Sequence, residues 1–249
     1  MLCCTLLAVA CAGTTQANNE DEAKSTTASV ENTTINITLD MSQNTLTPNI
    51  IPGAAIGVVV AGQKAPIAVG SLDENMCCSL KLTTPKEEYL MLTINSTPYA
   101  EVFTDGHDIK CTYNPETLLP EFTGSQNTTI FYNFLKEFYD MLGRIPYCAT
   151  EQEQMALLEQ ARSYIDEQVV ANKDRIVALR MLKMYHQYGD NDARLAELFR
   201  MINPRYKYTA LYGEFERLLT NSKNTAIGAD LVDITLPDTD GNMVTVSSL

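Results

Sequence analysis

The sequence predicts an α+β chain: an N-terminal antiparallel β-sandwich or open barrel, then a segment of four to five helices, then a short closing hairpin. Three observations predict it. From Thr33 to about Tyr113 apolar residues recur with a period of two, and turn signals interrupt them about every ten residues. After about Ser125 the apolar period becomes helical. Near the end, two short alternating runs flank Asp240-Gly241, a strong hairpin signal. The organisation that follows is 1–12 as a leader, 13–32 as a spacer, 33–122 as a β-rich unit, 123–224 as a helical segment and 225–249 as the closing hairpin.

The leader, Met1 to Ala12, is apolar and uncharged, too short to span a bilayer, and runs into polar Gly13-Thr14-Thr15-Gln16. It reads as an export signal. Leu7-Ala8-Val9-Ala10-Cys11 sets small residues before a cysteine in the manner of a lipobox, which makes Cys11 the candidate lipid-attachment residue and tethers the chain to a membrane. Ordinary cleavage after Ala12 or Ala17 is the alternative. Residues 13–32 are rich in Thr, Asn, Ser and acids, with almost no large apolar residue, as expected of a flexible spacer.

In the β-rich unit Ile35, Ile37 and Leu39 alternate with polar residues. Ile56 to Val60 is a β-branched run ending at Gly62, Pro66 to Val69 follows, and Asp73-Glu74-Asn75 makes a turn. Cys78, Leu80 and Leu82 alternate, Tyr89 to Ile94 forms a further strand, and Tyr99–Phe103 and Asp108–Tyr113 flank a tight Asp105-Gly106 turn. That gives roughly seven short strands. In the helical segment Phe131, Phe134, Leu135, Phe138 and Leu142 share one face, and Gly143 stops the run. Thr150 and Glu153 have the spacing of a capping box, in which each side chain satisfies a free amide. Further helices carry Met155, Leu158, Ile165 and Val169; Ile176, Leu179 and Leu182, ending near Gly189; Leu195, Leu198 and Phe199, capped by Asn191 or Asp192; and Leu211, Phe215, Leu218 and Leu219. Short connections between them fit a helical bundle or layer.

Composition excludes several functions. The net charge is −13, from 18 basic and 31 acidic residues, and such a surface repels phosphate backbones, so no nucleic-acid partner is expected. Two histidines, His107 and His186, cannot build a histidine-rich metal centre, and no metal or cofactor is expected. His107 reads as a solvated loop residue, and His186 as a cation placed at a helix C-terminus. Cys77, Cys78, Cys111 and Cys148 lie outside the leader and contain no C-x-x-C spacing. Neighbours in a strand, Cys77 and Cys78 point to opposite faces. Buried apolar roles suit at least some of the four, and an oxidising compartment would permit a disulfide whose pairing the sequence leaves open. Tyr206, Tyr208 and Tyr212 cluster near Pro204, placed either to line a groove between units or to pack in the core. The acidic run from Glu151 to Glu159 reads as a solvated helix face. There is no P-loop, nucleophile elbow or zinc spacing.

The closing segment, Gly228 to Asn242 followed by Val244-Thr245-Val246-Ser247-Ser248-Leu249, resembles the opening of thioredoxin-like domains of the TlpA and AhpC/TSA type. Those begin with a short "APDFTLPDTDGK" strand and turn, then "VSLSDLKGK". The shared core is Leu236-Pro237-Asp238-Thr239-Asp240-Gly241, and Val232 stands where the family usually has proline. Upstream, Leu72-Asp73-Glu74-Asn75-Met76, the strand from Pro85 to Leu92, and Val102 to Ile109 as a hairpin resemble, in order, the β-rich domain that precedes such thioredoxin domains in lipoproteins of Gram-negative anaerobes. Together the resemblance covers residues 33–249.

In that family a Trp-x-x-Cys-x-x-Cys segment follows at a helix start, where the helix dipole makes the first cysteine an attacking thiolate. This chain has no tryptophan and no such pair. The resemblance therefore implies the non-catalytic N-terminal region of an exported, lipid-anchored thiol–disulfide oxidoreductase on the periplasmic side of the cell envelope, truncated at the start of its thioredoxin-like domain. The catalytic cysteines are expected downstream of Leu249, and the chain alone is expected to be inactive. Its partners would be client proteins with disulfides or an upstream redox partner. A stand-alone ligand- or protein-binding lipoprotein, and the N-terminal region of a thiol peroxidase, are the alternatives.

Overall fold

A computed structural model describes residues 30–44, 50–117, 119–189, 191–225, 235–237 and 243–245. Cys11, nearly all of the spacer and the Asp238–Asn242 turn lie outside these residues. The chain is a mixed α+β protein in the predicted order.

Eight strands make two four-stranded sheets. They are β1 (Asn32–Asp40), β2 (Ala55–Val60), β3 (Pro66–Ser71), β4 (Cys77–Pro85), β5 (Tyr89–Ile94), β6 (Thr97–Phe103), β7 (Ile109–Tyr113) and β8 (Pro120–Thr123). The first sheet has the order β4-β1-β7-β8 and the second β3-β2-β5-β6. Alternation decides which faces meet: Ile35, Ile37 and Leu39 of the first sheet join Ile56, Val58, Leu90 and Leu92 of the second in one apolar cluster. At Gly70 the sheets come so close that a Cβ would lie 2.7 Å from Leu80 Cδ2 and 3.0 Å from Cys78 Sγ, so a larger residue there would have to displace the Leu80 side chain.

Three features depart from the sequence expectation. Pairing is not antiparallel throughout, because β1 and β7 run parallel from Ile37↔Ile109 to Asp40↔Thr112. The Asp108 carboxylate fixes this pairing by accepting from the Asn36 backbone (2.7 Å) and Asn36 Nδ2 (3.0 Å). The Val102–Ile109 hairpin does not form, since β6 and β7 lie in different sheets. The Asp105-Gly106 turn carries the chain between sheets, and Asp105 accepts from the Gln126 amide (2.7 Å) at a helix start, where a carboxylate is favoured. Pro85 to Leu92 is likewise two strands in two sheets. The crossing at Lys86–Glu88 is held by the Glu88 amide donating to Thr104 Oγ1 (2.7 Å) and the Thr104 amide donating to the Glu88 carbonyl (2.9 Å).

Five helices follow: α1 (Gln126–Arg144), α2 (Glu151–Ala171), α3 (Val177–Tyr188), α4 (Asp192–Met201) and α5 (Ala210–Thr225). Ser125 caps α1, Thr150 and Glu153 form the expected capping box of α2, and Asn191 rather than Asp192 caps α4. Gly143 lies inside the last turn of α1, which ends at Arg144 before the 3₁₀ turn containing Pro146. The last elements, β9 (Thr235–Pro237) and β10 (Met243–Thr245), pair antiparallel with each other.

The helical core reaches back into the sheets through Phe103, the final residue of β6. It is fully buried, stacks on Tyr89 (4.8 Å) and meets Phe131 of α1 edge-on (4.9 Å). Its amide donates to Thr128 Oγ1 (2.9 Å), and its carbonyl accepts from the hydroxyls of Thr128 and Ser125. Replacing Phe103 by Ala is expected to cost about 3–5 kcal/mol, whereas Ala at exposed Met155 of α2 should change stability by no more than about 0.5 kcal/mol. Urea denaturation followed by circular dichroism measures both.

Candidate functional site

Helix α3 is apolar on nearly every side, burying Val177, Ala178, Leu179, Met181, Leu182, Met184 and Tyr185. Arg180, Lys183 and Gln187, spaced i, i+3, i+7, interrupt that surface as a single polar stripe. The stripe forms one wall of a groove of about 460 Å³. Val59 of β2, Met91 and Thr93 of β5 and Pro98 of β6 make the floor, on the face of the second sheet opposite its core. Leu211 and Glu214 of α5 complete the wall, and Gln63 and Lys64 contribute from the β2–β3 turn. Gly62 closes one end: it has φ +85°, and a Cβ there would sit 3.0 Å from Ala210 Cβ at the start of α5.

The cations of this groove are held differently. Arg180 grips Glu101 of β6 through Nε (2.7 Å) and Nη2 (3.0 Å), while Tyr89 donates its hydroxyl to Glu101 Oε2 (2.7 Å). The guanidinium also lies 5.7 Å from the Phe131 ring centroid. Burial, then the Glu101 charge, push the Tyr89 hydroxyl far above its ordinary pKa, so it stays a donor. Arg180 Nη1 is buried and has no hydrogen-bond partner. Lys183 instead meets both Glu214 oxygens at 3.0 Å in a half-exposed pair.

A second polar cluster joins sheets to helices. Glu87 Oε2 accepts from Arg205 Nη2 (2.6 Å) and the Tyr206 hydroxyl (3.0 Å). Fully buried Asn127 donates to Glu87 Oε1 (3.3 Å) and the Thr104 carbonyl (3.1 Å) and accepts from Arg175 (3.2 Å). Tyr206 is 1% exposed, and Tyr208 donates to the Glu87 carbonyl. Of the three tyrosines singled out in the sequence, Tyr206 and Tyr208 therefore reach the junction, while Tyr212 packs on Phe199 (4.7 Å) inside the helical core. Glu88 beside them is 6% exposed; burial raises its carboxyl pKa, and the hydrogen bond from the Tyr89 amide offsets this only in part.

The cysteines do not converge. Cys77, Cys78, Cys111 and Cys148 are free thiols. Cys77 and Cys78 face opposite sides of β4. Cys78 and Cys111 both register with Leu39, one on each flank of β1. Two strand spacings, about 9–10 Å, separate them, and a disulfide requires less than about 7 Å between Cα atoms. Burial holds the Cys111 thiol up to about 12, and burial with the Asp73 charge raises Cys78. Burial, then Asp40 and Asp73, raises Cys77. These are the reverse of the conditions that activate a thiolate. His107 is exposed beside Asp105 (3.1 Å), and His186 is exposed in the last turn of α3. Among the described residues no group of His, Cys, Asp and Glu could hold a metal ion.

Sequence reasoning missed Glu87, Glu101, Arg180, Lys183 and Arg205. A signal was present for Arg180 and Lys183, since two cations on an otherwise apolar helix require partners from another element. Comparison with protein-family models, with curated proteins and with solved structures finds no match to this chain.

Two outcomes follow from this geometry. Iodoacetamide at pH 7.5 should leave Cys78 and Cys111 unmodified in the folded protein and alkylate both in urea, as read by peptide mass spectrometry. Glu88→Gln should raise the thermal midpoint at neutral pH, because the folded pKa of Glu88 lies above its unfolded value and folding therefore disfavours the ionised form. The gap between variant and parent should close as the pH falls into the ordinary carboxylate range and the parent's Glu88 is protonated.

Proposed function

We propose that this chain is the non-catalytic accessory region of an exported thiol–disulfide oxidoreductase of the thioredoxin-like family, anchored through Cys11 on the periplasmic side of the cell envelope. On this reading the two sheets form a sandwich, the helices pack on its side, and the joined unit positions a thioredoxin-like redox domain or holds a disulfide-bearing client. The observation that carries the reading is the hairpin β9–β10, with Leu236 opposite Val244, in the segment that resembles the opening of thioredoxin-like domains. Leu236 and Met243 are 61% and 66% exposed. An isolated two-stranded hairpin is marginal in water, so apolar side chains in that position are suited to packing on further structure. The dispersal of the cysteines, with the thiol pKa values of Cys77, Cys78 and Cys111 raised, supports the assignment of this region to holding rather than chemistry. The groove beside α3 favours a second reading, a ligand-binding lipoprotein.

Two measurements test the first reading. Insulin reduction by dithiothreitol should proceed no faster with this chain than without it, and acceleration that disappears in Cys77→Ser or Cys148→Ser would overturn the non-catalytic assignment. DNA read past the codon for Leu249 should continue in frame into Trp-x-x-Cys-x-x-Cys. A stop codon there, or the cysteine spacing of a peroxidase, removes the thiol–disulfide oxidoreductase reading.

A further inference from the structure

We propose that the groove between α3 and the outer face of the second sheet binds a small amphipathic carboxylate, an aliphatic chain ending in one acid group. Three observations point to that ligand chemistry. The first is shape: at about 460 Å³ the groove falls within the range of small-molecule sites, and it is walled by two helices and closed at Gly62. The second is the floor. Val59, Met91 and Pro98 present unbranched or branched aliphatic surface and Leu211 adds to it from α5, so an alkyl chain can lie across the sheet and leave water.

The third is charge. Lys64, Arg180 and Lys183 bring three cations to this groove against Glu214 in its lining and Glu101 behind it, in a chain whose net charge is −13. A local cationic excess on an acidic protein attracts an anion to that place. The cations also differ in availability. Glu101 holds Arg180 from two nitrogens in a pair about one-fifth exposed, which is a fixed part of the fold. Lys183 and Glu214 are 37% and 52% exposed, and ion pairs in water contribute little. A ligand carboxylate desolvated by its own alkyl chain therefore competes with Glu214 for Lys183. Lys64, on the exposed turn at the rim, is a second attachment point.

Octanoate, titrated calorimetrically below its micellar range at pH 7.5 and low ionic strength, is the probe. One octanoate should bind per chain, and 1-octanol at least about tenfold more weakly, the loss of one charge-assisted hydrogen bond. Lys183→Gln should raise the octanoate Kd by about tenfold, while Glu214→Gln, which frees Lys183, should lower it. Lys136→Gln on the exposed side of α1 should leave it unchanged. Both groove substitutions are on half-exposed residues, and equal thermal midpoints would show that the variants are folded. Absence of saturable octanoate binding overturns the proposal, as does equal affinity for octanol, or a Kd that neither Lys183→Gln nor Glu214→Gln moves.

Discussion

The structure depends on how the chain leaves its second sheet at Phe103. An edge strand ending against a helical layer must satisfy its last backbone groups without a neighbouring strand. Here the hydroxyls of Ser125 and Thr128, in the cap and first turn of α1, take both the amide and the carbonyl of Phe103. The same residue sends its ring into the helical core, between Tyr89 and Phe131. One position therefore fixes where α1 starts, which way it points and which sheet it touches; α2 and α3 pack on α1, and α4 and α5 pack on α3. Because the backbone contacts come from short hydroxyl side chains, the approach distance is fixed as well as the partner.

Around that seam the polar contacts are arranged so that no carboxylate is buried alone without a donor. Glu101 is met by Arg180 and Tyr89, and Glu87 by Arg205, Tyr206 and Asn127. In each set the acid comes from the sheet side and the cation from the helical side, and Tyr89 of β5 adds a donor to Glu101 from the sheet itself. Desolvation offsets much of the attraction in the Arg180–Glu101 pair, which is about one-fifth exposed, and solvent screens the Glu87 pair, whose Arg205 is half exposed. Glu88 has the fewest donors: burial raises its pKa, and the one hydrogen bond to its carboxylate, from the adjacent Tyr89 amide, offsets this only in part. The consequence for any function is that sheet and helices present the groove as one preformed surface.

Much of this was legible in the sequence, and what was not has a definite cause. Strands β1 to β7 follow from period-two alternation, and the helices from their apolar faces and from caps at Thr150 and Asn191. β8 escaped notice because Pro120–Thr123 is four residues long, starts with proline and buries none of them. The sheet order was not legible because alternation specifies which face of β1 is buried and nothing about which strands flank it. The pairing with β7 is set by Asp108 reaching Asn36 across 72 residues. Glu101 in a strand reads as a solvent-facing position under the same alternation, and only a helix laid over that face turns it into a binding partner for Arg180. Tyr206 and Tyr208 were visible as a cluster, but their common target, Glu87, lies about 120 residues earlier.

The distribution of cations ties these strands of evidence together. With 18 bases against 31 acids, an unengaged cation is uncommon, and fixed pairs already hold Arg180, Arg194 and Arg205. Arg180 and Arg194 each meet both oxygens of a carboxylate with a planar fork, and Lys183 and Lys64 line the groove on more mobile stems. That division separates two roles. Arg180 supports Glu101 and the wall itself, and Lys183 with Lys64 supplies charge that a ligand can recruit without dismantling the fold. The thiols are excluded from this place: Cys78 and Cys111 face the core of the sheets, and Cys148 lies beyond the end of α1. No cysteine lines the groove, whose apolar floor is edged by lysine.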